Sequence, residues 1–171
     1  PWVATPPDQC GDEFVQYDSL FRWQTDALTA LQAISLQRPH LPLLLMGISE
    51  GAEILPVLAA QSGDLLMGLV LLSASGLDPV RAFQLQLQKM GQAAVWAELR
   101  AKVQSTLPNE HLVHGRSLRY WRDLWGWALS EPLFAINRPV LQVWGDADEL
   151  IPSSAYQAFA EQSRGRTMAL C

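Results

Sequence analysis

Residues 43–55, reading LLLMGISEGAEIL, run an apolar stretch straight into a helical one through the pentapeptide Gly47-Ile48-Ser49-Glu50-Gly51. A strand that reverses at once into a helix holds the corner residue in a strained backbone conformation and turns its side chain outward. The two glycines are read as positions where a Cβ would not fit against that corner. Ser49 is therefore the candidate nucleophile. The sharp turn restricts the chain to folds in which a buried strand leads directly into a packed helix.

Two further apolar runs extend this reading. Leu66 to Leu72 ends in Ser73-Ala74-Ser75-Gly76, and Pro139-Val140-Leu141-Gln142-Val143-Trp144-Gly145 leads into a turn and a helix over about 153–162. Continuous apolar runs separated by helical stretches predict strands buried on both faces of a parallel sheet, hence an α/β architecture. Leu20, Trp23, Ala27, Leu31 and Ile34 recur at helical spacing and predict an amphipathic helix to about Gln37, capped by Ser19 or Asp18. Before it, residues 2–5 read as the tail of a strand and the polar stretch to Asp18 as a loop. From Asp78-Pro79 to about Phe134 the pattern is helical throughout, with a break at Leu107-Pro108-Asn109 and several tryptophans that either line a pocket or form the insertion's own core. The expected division is a core of residues 1–77 and 136–171 interrupted by a helical insertion, 78–135. Pro56, inside the helix expected after Ser49, predicts a kink.

Composition removes several function classes. At 171 residues with 49% hydrophobic content and a mean hydropathy of +0.06, the chain suits one folded domain. A net charge of -5 with only two lysines argues against a nucleic-acid surface, which needs clustered cations. No apolar run approaches the roughly 20 residues of a membrane span, and no signal-like segment opens the chain, so a cytoplasmic location is expected. Cys10 and Cys171 form neither a metal spacing nor a disulfide framework. His111 and His114, three apart, read as a solvated helix face rather than a metal pair. Neither a metal nor a cofactor is expected.

A serine hydroxyl needs a base to remove its proton and a third group to orient that base. The best acidic candidate is Asp148, in the loop after the strand ending at Gly145, where open α/β sheets collect functional loops. Asp146 is the close alternative and Asp78 a distant one. Glu50 and Glu53 are read as favouring the positive end of the helix dipole.

In order and spacing, the elbow at residues 47–51, the insertion from Asp78 and the segment 139–152 (PVLQVWGDADELIP) resemble the α/β-hydrolase family, most closely its esterase, lipase and serine-aminopeptidase-like branch. The resemblance covers nearly the whole chain. It implies an α/β-hydrolase fold, a mostly parallel sheet flanked by helices with a cap. It selects Asp148 as triad acid over Asp146, and implies that the backbone N–H of Glu50 is one oxyanion donor. The implied activity is cleavage of a carboxylic ester or related acyl bond of a small-molecule substrate through an acyl-enzyme on Ser49. A peptidase acting on short peptides and a non-catalytic binding protein on the same fold are the alternatives.

The family's histidine lies one helix and one strand beyond the acid, and no histidine follows Asp148 here. His40, His111 and His114 all precede it. The early strand whose loop supplies the second oxyanion donor is expected upstream of Pro1, and the chain is expected to stop after its last helix. The expectation is thus of a segment truncated at both ends, inactive alone, with exposed sheet edge and a tendency to aggregate.

Overall fold

Ser19 starts the longest helix. Its Oγ accepts the Arg22 N–H at 3.1 Å, the usual N-cap contact, and α2 follows over Leu20–Gln37. The structure, a computed structural model, describes residues 11–163 and 167–170. The strand expected at residues 2–5, and both cysteines, lie outside the described residues.

Four strands form a parallel sheet in the order β1-β2-β5-β6: β1 Leu43–Ile48, β2 Leu66–Leu72, β5 Val140–Val143 and β6 Thr167–Leu170. Leu31 of α2, Leu55, Leu58 and Ala59 of α3 (Leu55–Ser62), Leu133 of α7 (Ser130–Ala135) and Phe159 of α8 (Ser153–Gln162) bury against Leu69, Leu71 and Val140 on one sheet face. These helices carry apolar stripes that the strands' inward residues match, which is why the two layers adhere.

The strands are not buried on both faces along their whole length. Leu44, Met46 and Ile48 of β1 are 65, 60 and 56% exposed, because β1 ends the sheet order and nothing described covers that face. Sequence hydrophobicity reports what a strand can bury, not what lies over it.

Other differences are local. A short helix, α1 (Asp12–Tyr17), replaces the loop expected before Asp18. Its six residues have none buried, so no apolar period marks it in the sequence. The last helix is followed by β6, paired in parallel with β5, so the chain does not stop at a helix. Pro56 does not kink a continuous helix. The elbow helix is divided into a 3-10 turn over Ser49–Ala52 and a new α-helix from Leu55, which places Pro56 in a first turn where its missing N–H leaves no bond unmade.

Between β2 and α7 lies the helical stretch, in more pieces than its pattern predicted. α4 (Pro79–Lys89) and α5 (Ala93–Val103) are separated at Met90-Gly91-Gln92, where Gly91 takes φ 70°. Then β3 (Leu112–Val113) and β4 (Arg116–Ser117) form a hairpin ahead of α6 (Leu118–Gly126). His111 and His114 are therefore on a hairpin and not on a helix, and His114 pairs with Glu98 at 3.1 Å. Tyr120, Trp121 and Leu124 bury with Leu99, Val113, Leu118 and Leu20 in a second apolar cluster. Trp121 donates to the Val113 carbonyl at 2.9 Å, and Trp96 stacks on Trp125 with centroids 4.7 Å apart. These tryptophans pack the insertion's own core. Its two ends are tied by Asp78, whose Oδ1 accepts the N–H groups of Leu129 and Ser130 and the Ser130 hydroxyl at 2.8 to 2.9 Å. Burial alone would raise the Asp78 pKa, but those three donors outweigh it and hold it below the ordinary value.

Candidate active site

Ser49 occupies the corner between β1 and the 3-10 turn at φ 52°, a left-handed conformation that a residue with a side chain adopts at a cost. It is exposed, and its hydroxyl bonds no other described residue. Gly47 explains how the corner closes: a Cβ there would lie 2.4 Å from the Ala52 Cα and 2.6 Å from its nitrogen. Gly51 differs from the sequence expectation, since a Cβ at that position meets nothing within 4 Å and its φ is not positive. One glycine is required by the crossing of the backbones; the other is not.

Two cavities meet at Ser49. The smaller, about 70 Å³, is lined by Ser49, Glu53, Ser73, Phe83 and Leu124 among others, and lies beneath the helical insertion. The larger, about 830 Å³, opens between Ser49 and the loop carrying Gly145, Ala147 and Asp148. The structure thus brings Ser49, Glu50, Gly51 and Asp148 to one cavity, while Asp146, Asp78 and all three histidines are outside its described lining. Asp78 is instead committed to the ends of the insertion.

Asp148 is held firmly. Its Oδ1 accepts the Leu150 and Ile151 N–H groups at 2.8 and 3.0 Å, and its Oδ2 accepts the Tyr156 hydroxyl at 2.6 Å. Lys89 of α4 donates to the Asp148 and Ile151 carbonyls, fastening the loop to the insertion. Burial pushes the Asp148 pKa up, yet the Tyr156 hydroxyl, the two N–H groups and the Lys89 charge together bring it below the usual carboxylate value. A carboxylate so held stays charged at neutral pH and keeps lone pairs for one further donor.

Sequence pattern did not reveal that Ser73 lines both cavities, nor that Arg116 and Tyr120 bond Glu50 beside Ser49. Ser73 is itself left-handed at φ 50°. Its loop is pinned by the buried Gln142, whose Nε2 donates to the Ala74 and Ser75 carbonyls at 3.2 and 2.8 Å. Nothing in the local sequence marks either residue.

Glu50 and Glu53 do more than favour a helix dipole. The Glu50 carboxylate takes the Tyr120 hydroxyl at 2.7 Å and the Arg116 guanidinium at 3.1 Å, and Arg116 also reaches Asp18 at 2.8 Å while lying 4.1 Å above the Tyr120 ring. The elbow residue next to Ser49 is thereby clasped by β4 and α6, some 70 positions away. Arg116→Ala leaves Glu50 and the buried Asp18 without their shared cation and is expected to destabilise the fold by about 2 kcal/mol in chemical denaturation. Arg116→Lys should recover little, because a single ammonium does not fork across two carboxylates.

Glu53 is mostly buried, and its carboxyl is pushed up to about 8, by burial first and by the Glu50 charge second, against a smaller opposing effect of Arg116. Its ordinary value is 4.5, so between 4.5 and about 8 the folded chain holds a proton that the unfolded chain has lost. Stability is therefore expected to fall as pH rises through that window and then to level off. Glu53→Gln should flatten this dependence, as read from denaturation midpoints at pH 5 and pH 8.

No metal-binding group of three or more His, Cys, Asp or Glu occurs among the described residues, and none of their helices is long and apolar enough to cross a membrane.

No family model matches the chain, and no curated protein matches it either. Solved structures do. Est1E from Butyrivibrio proteoclasticus is 22% identical with a TM-score of 0.62, over 90% of this chain and 61% of that one. Alpha/beta hydrolase domain-containing protein 10 from mouse is 17% identical with a TM-score of 0.56, over 90% and 60%. The monoacylglycerol lipase of Paleococcus ferrophilus is 19% identical with a TM-score of 0.52, over 86% and 63%. The chain spans about 60% of the length of these structures, and the likeness shows that it has the α/β-hydrolase fold.

Proposed function

We propose that this chain of α/β-hydrolase fold carries the nucleophile and acid of a serine hydrolase that cleaves a carboxylic ester, or a related acyl bond, through an acyl-enzyme on Ser49. The observation that carries the reading is the exposed Ser49 at φ 52°, lining one open cavity together with Asp148. An esterase and a lipase among the structures of like fold agree with it.

In this mechanism a histidine oriented by Asp148 takes the Ser49 proton as Oγ attacks the substrate carbonyl. The tetrahedral oxyanion is met by the Glu50 N–H, at the start of the 3-10 turn, where backbone donors point away from the helix without intrahelical partners. Collapse returns the proton to the departing alkoxide, and water repeats the sequence on the acyl-enzyme. The resemblance puts that histidine after the strand that follows α8, a place corresponding to the end of β6. The proton is handed to the leaving group from the Asp148 side, so the alcohol belongs in the open cavity and the acyl group in the smaller one beneath residues 78–135, which act as the cap.

The clasp on Glu50 gives that cap a second task. With its side chain fixed by Arg116 and Tyr120, the Glu50 peptide is held in one orientation, and preorganised donors stabilise a developing charge better than mobile ones.

A fluorophosphonate probe applied to the full-length protein tests the reading. The adduct is expected on the peptide containing Ser49; a covalent adduct on any other serine, or none at all, overturns it.

A further inference from the structure

Glu53 takes no part in the acyl transfer above, yet it lines the same small cavity as Ser49. Its Oε2 is buried and meets no hydrogen-bond partner among the described residues. The charged and titratable groups around it are already engaged. Tyr120 on α6 gives its hydroxyl to Glu50, and Arg116 on β4 gives its guanidinium to Glu50 and Asp18. Buried polar atoms are nearly always paired, so a carboxyl that lines the cavity beside Ser49 and has one oxygen without a described partner keeps hydrogen-bonding capacity for a group that arrives with the substrate.

The charge state decides the kind of group. Burial and the neighbouring Glu50 keep the Glu53 carboxyl protonated at neutral pH. A neutral carboxyl offers one O–H donor and spare acceptor capacity, which complements an oxygen on an otherwise neutral chain. An alkyl chain in the same place leaves the carboxyl unpaired in the complex, and sites built to bond a substrate oxygen reject analogues that lack it.

We infer that Glu53 is a specificity-determining residue: it donates a hydrogen bond to an oxygen on the substrate's acyl chain, so that oxo- and hydroxy-acyl esters are preferred to plain alkanoyl esters. The inference rests on the Ser49 reading and on the acyl group entering the smaller cavity.

The test compares p-nitrophenyl esters of the full-length protein's candidate acids, levulinyl against valeryl and β-hydroxybutyryl against butyryl, in wild type, Glu53→Gln and Glu53→Leu. Wild type is expected to favour the oxygenated member of each pair in kcat/KM on the order of ten- to a hundred-fold, chiefly through KM. Glu53→Gln keeps a donor and should keep the preference; Glu53→Leu should lose it. The sign with pH follows from the chemistry. As Glu53 ionises above about pH 8 it stops donating, so the levulinyl preference should fall in wild type. The hydroxyl ester, which can donate in turn, should keep its own, and both should stay flat in the Gln variant.

Equal turnover of the paired esters by wild type overturns the inference, as does a preference that survives in Glu53→Leu. A preference for amine-bearing acyl chains that strengthens above pH 8 also overturns it, because Glu53 would then be a cation site. If Glu53→Leu does not fold, the contrast in pH profile between wild type and Glu53→Gln decides alone. Fluorophosphonate labelling of Ser49 is read in parallel, and its loss in every form means that the Ser49 reading has failed rather than this one.

Discussion

In the full-length protein Ser49→Ala is expected to remove ester turnover by at least about ten-thousand-fold and to abolish fluorophosphonate labelling, while leaving the fold in place. The large loss follows from covalent chemistry: without Oγ no acyl-enzyme forms, and only binding and the oxyanion donor remain. The small structural effect follows from the site. Ser49 is exposed and its hydroxyl bonds no described residue, so its removal should change stability by less than about 0.5 kcal/mol. A second variant reads the strain directly. At φ 52° a glycine is free of the clash that a Cβ suffers, so Ser49→Gly should be equally inactive yet more stable than Ser49→Ala by about 1 kcal/mol. Paired turnover and denaturation measurements check both halves. Residual turnover in Ser49→Ala above a hundredth of wild type would remove the serine from the mechanism.

Gly47→Ala is expected to be strongly destabilising. The new carbon would lie 2.4 Å from the Ala52 Cα, 2.6 Å from the Ala52 nitrogen and 2.7 Å from the Gly51 carbonyl oxygen. All three are backbone atoms, so no rotamer change relieves the contact and the corner itself must open. A cost of about 3 kcal/mol or more is expected, with loss of labelling as Ser49 is displaced. Gly51→Ala is the control: its Cβ enters open space at an ordinary φ, and the variant should remain within about 1 kcal/mol of wild type and should label. Equal damage from both substitutions would contradict the corner described here.

The elements that were legible beforehand share a short-range cause. The helix from Leu20 to Gln37 shows its apolar stripe and its serine cap within 20 positions, and the strands at 43–48, 66–72 and 140–143 are apolar runs bounded by turn residues. The helix at Asp12–Tyr17 buries nothing and so carries no period to detect. The hairpin at 112–117 carries no strand signal because two-residue strands are too short to alternate, and its turn depends on the left-handed His114-Gly115 pair.

The candidate site divides along the same line. The Ser49 corner and the Asp148 loop each lie within about a dozen residues, so local spacing and turn chemistry suffice to mark them. The difference between Gly47 and Gly51 did not follow from the pentapeptide, because the motif marks both alike and only the path of the backbone past Ala52 distinguishes them.

What the amino-acid order determined by itself is therefore the parallel α/β layering, the strained serine and a carboxylate loop after a later strand, since each rests on contacts between near neighbours in the chain. The tertiary structure alone decided that Glu50 is clasped by Arg116 and Tyr120, that Asp78 ties the insertion's ends, and that a mostly buried Glu53 holds its proton. The partners of Glu50 and Asp78 come from residues 50 to 70 positions away, and the Glu53 proton from burial and from a neighbouring charge that is itself held by those partners. A side chain's ionisation and partners are set by its distance in space, which sequence separation does not record.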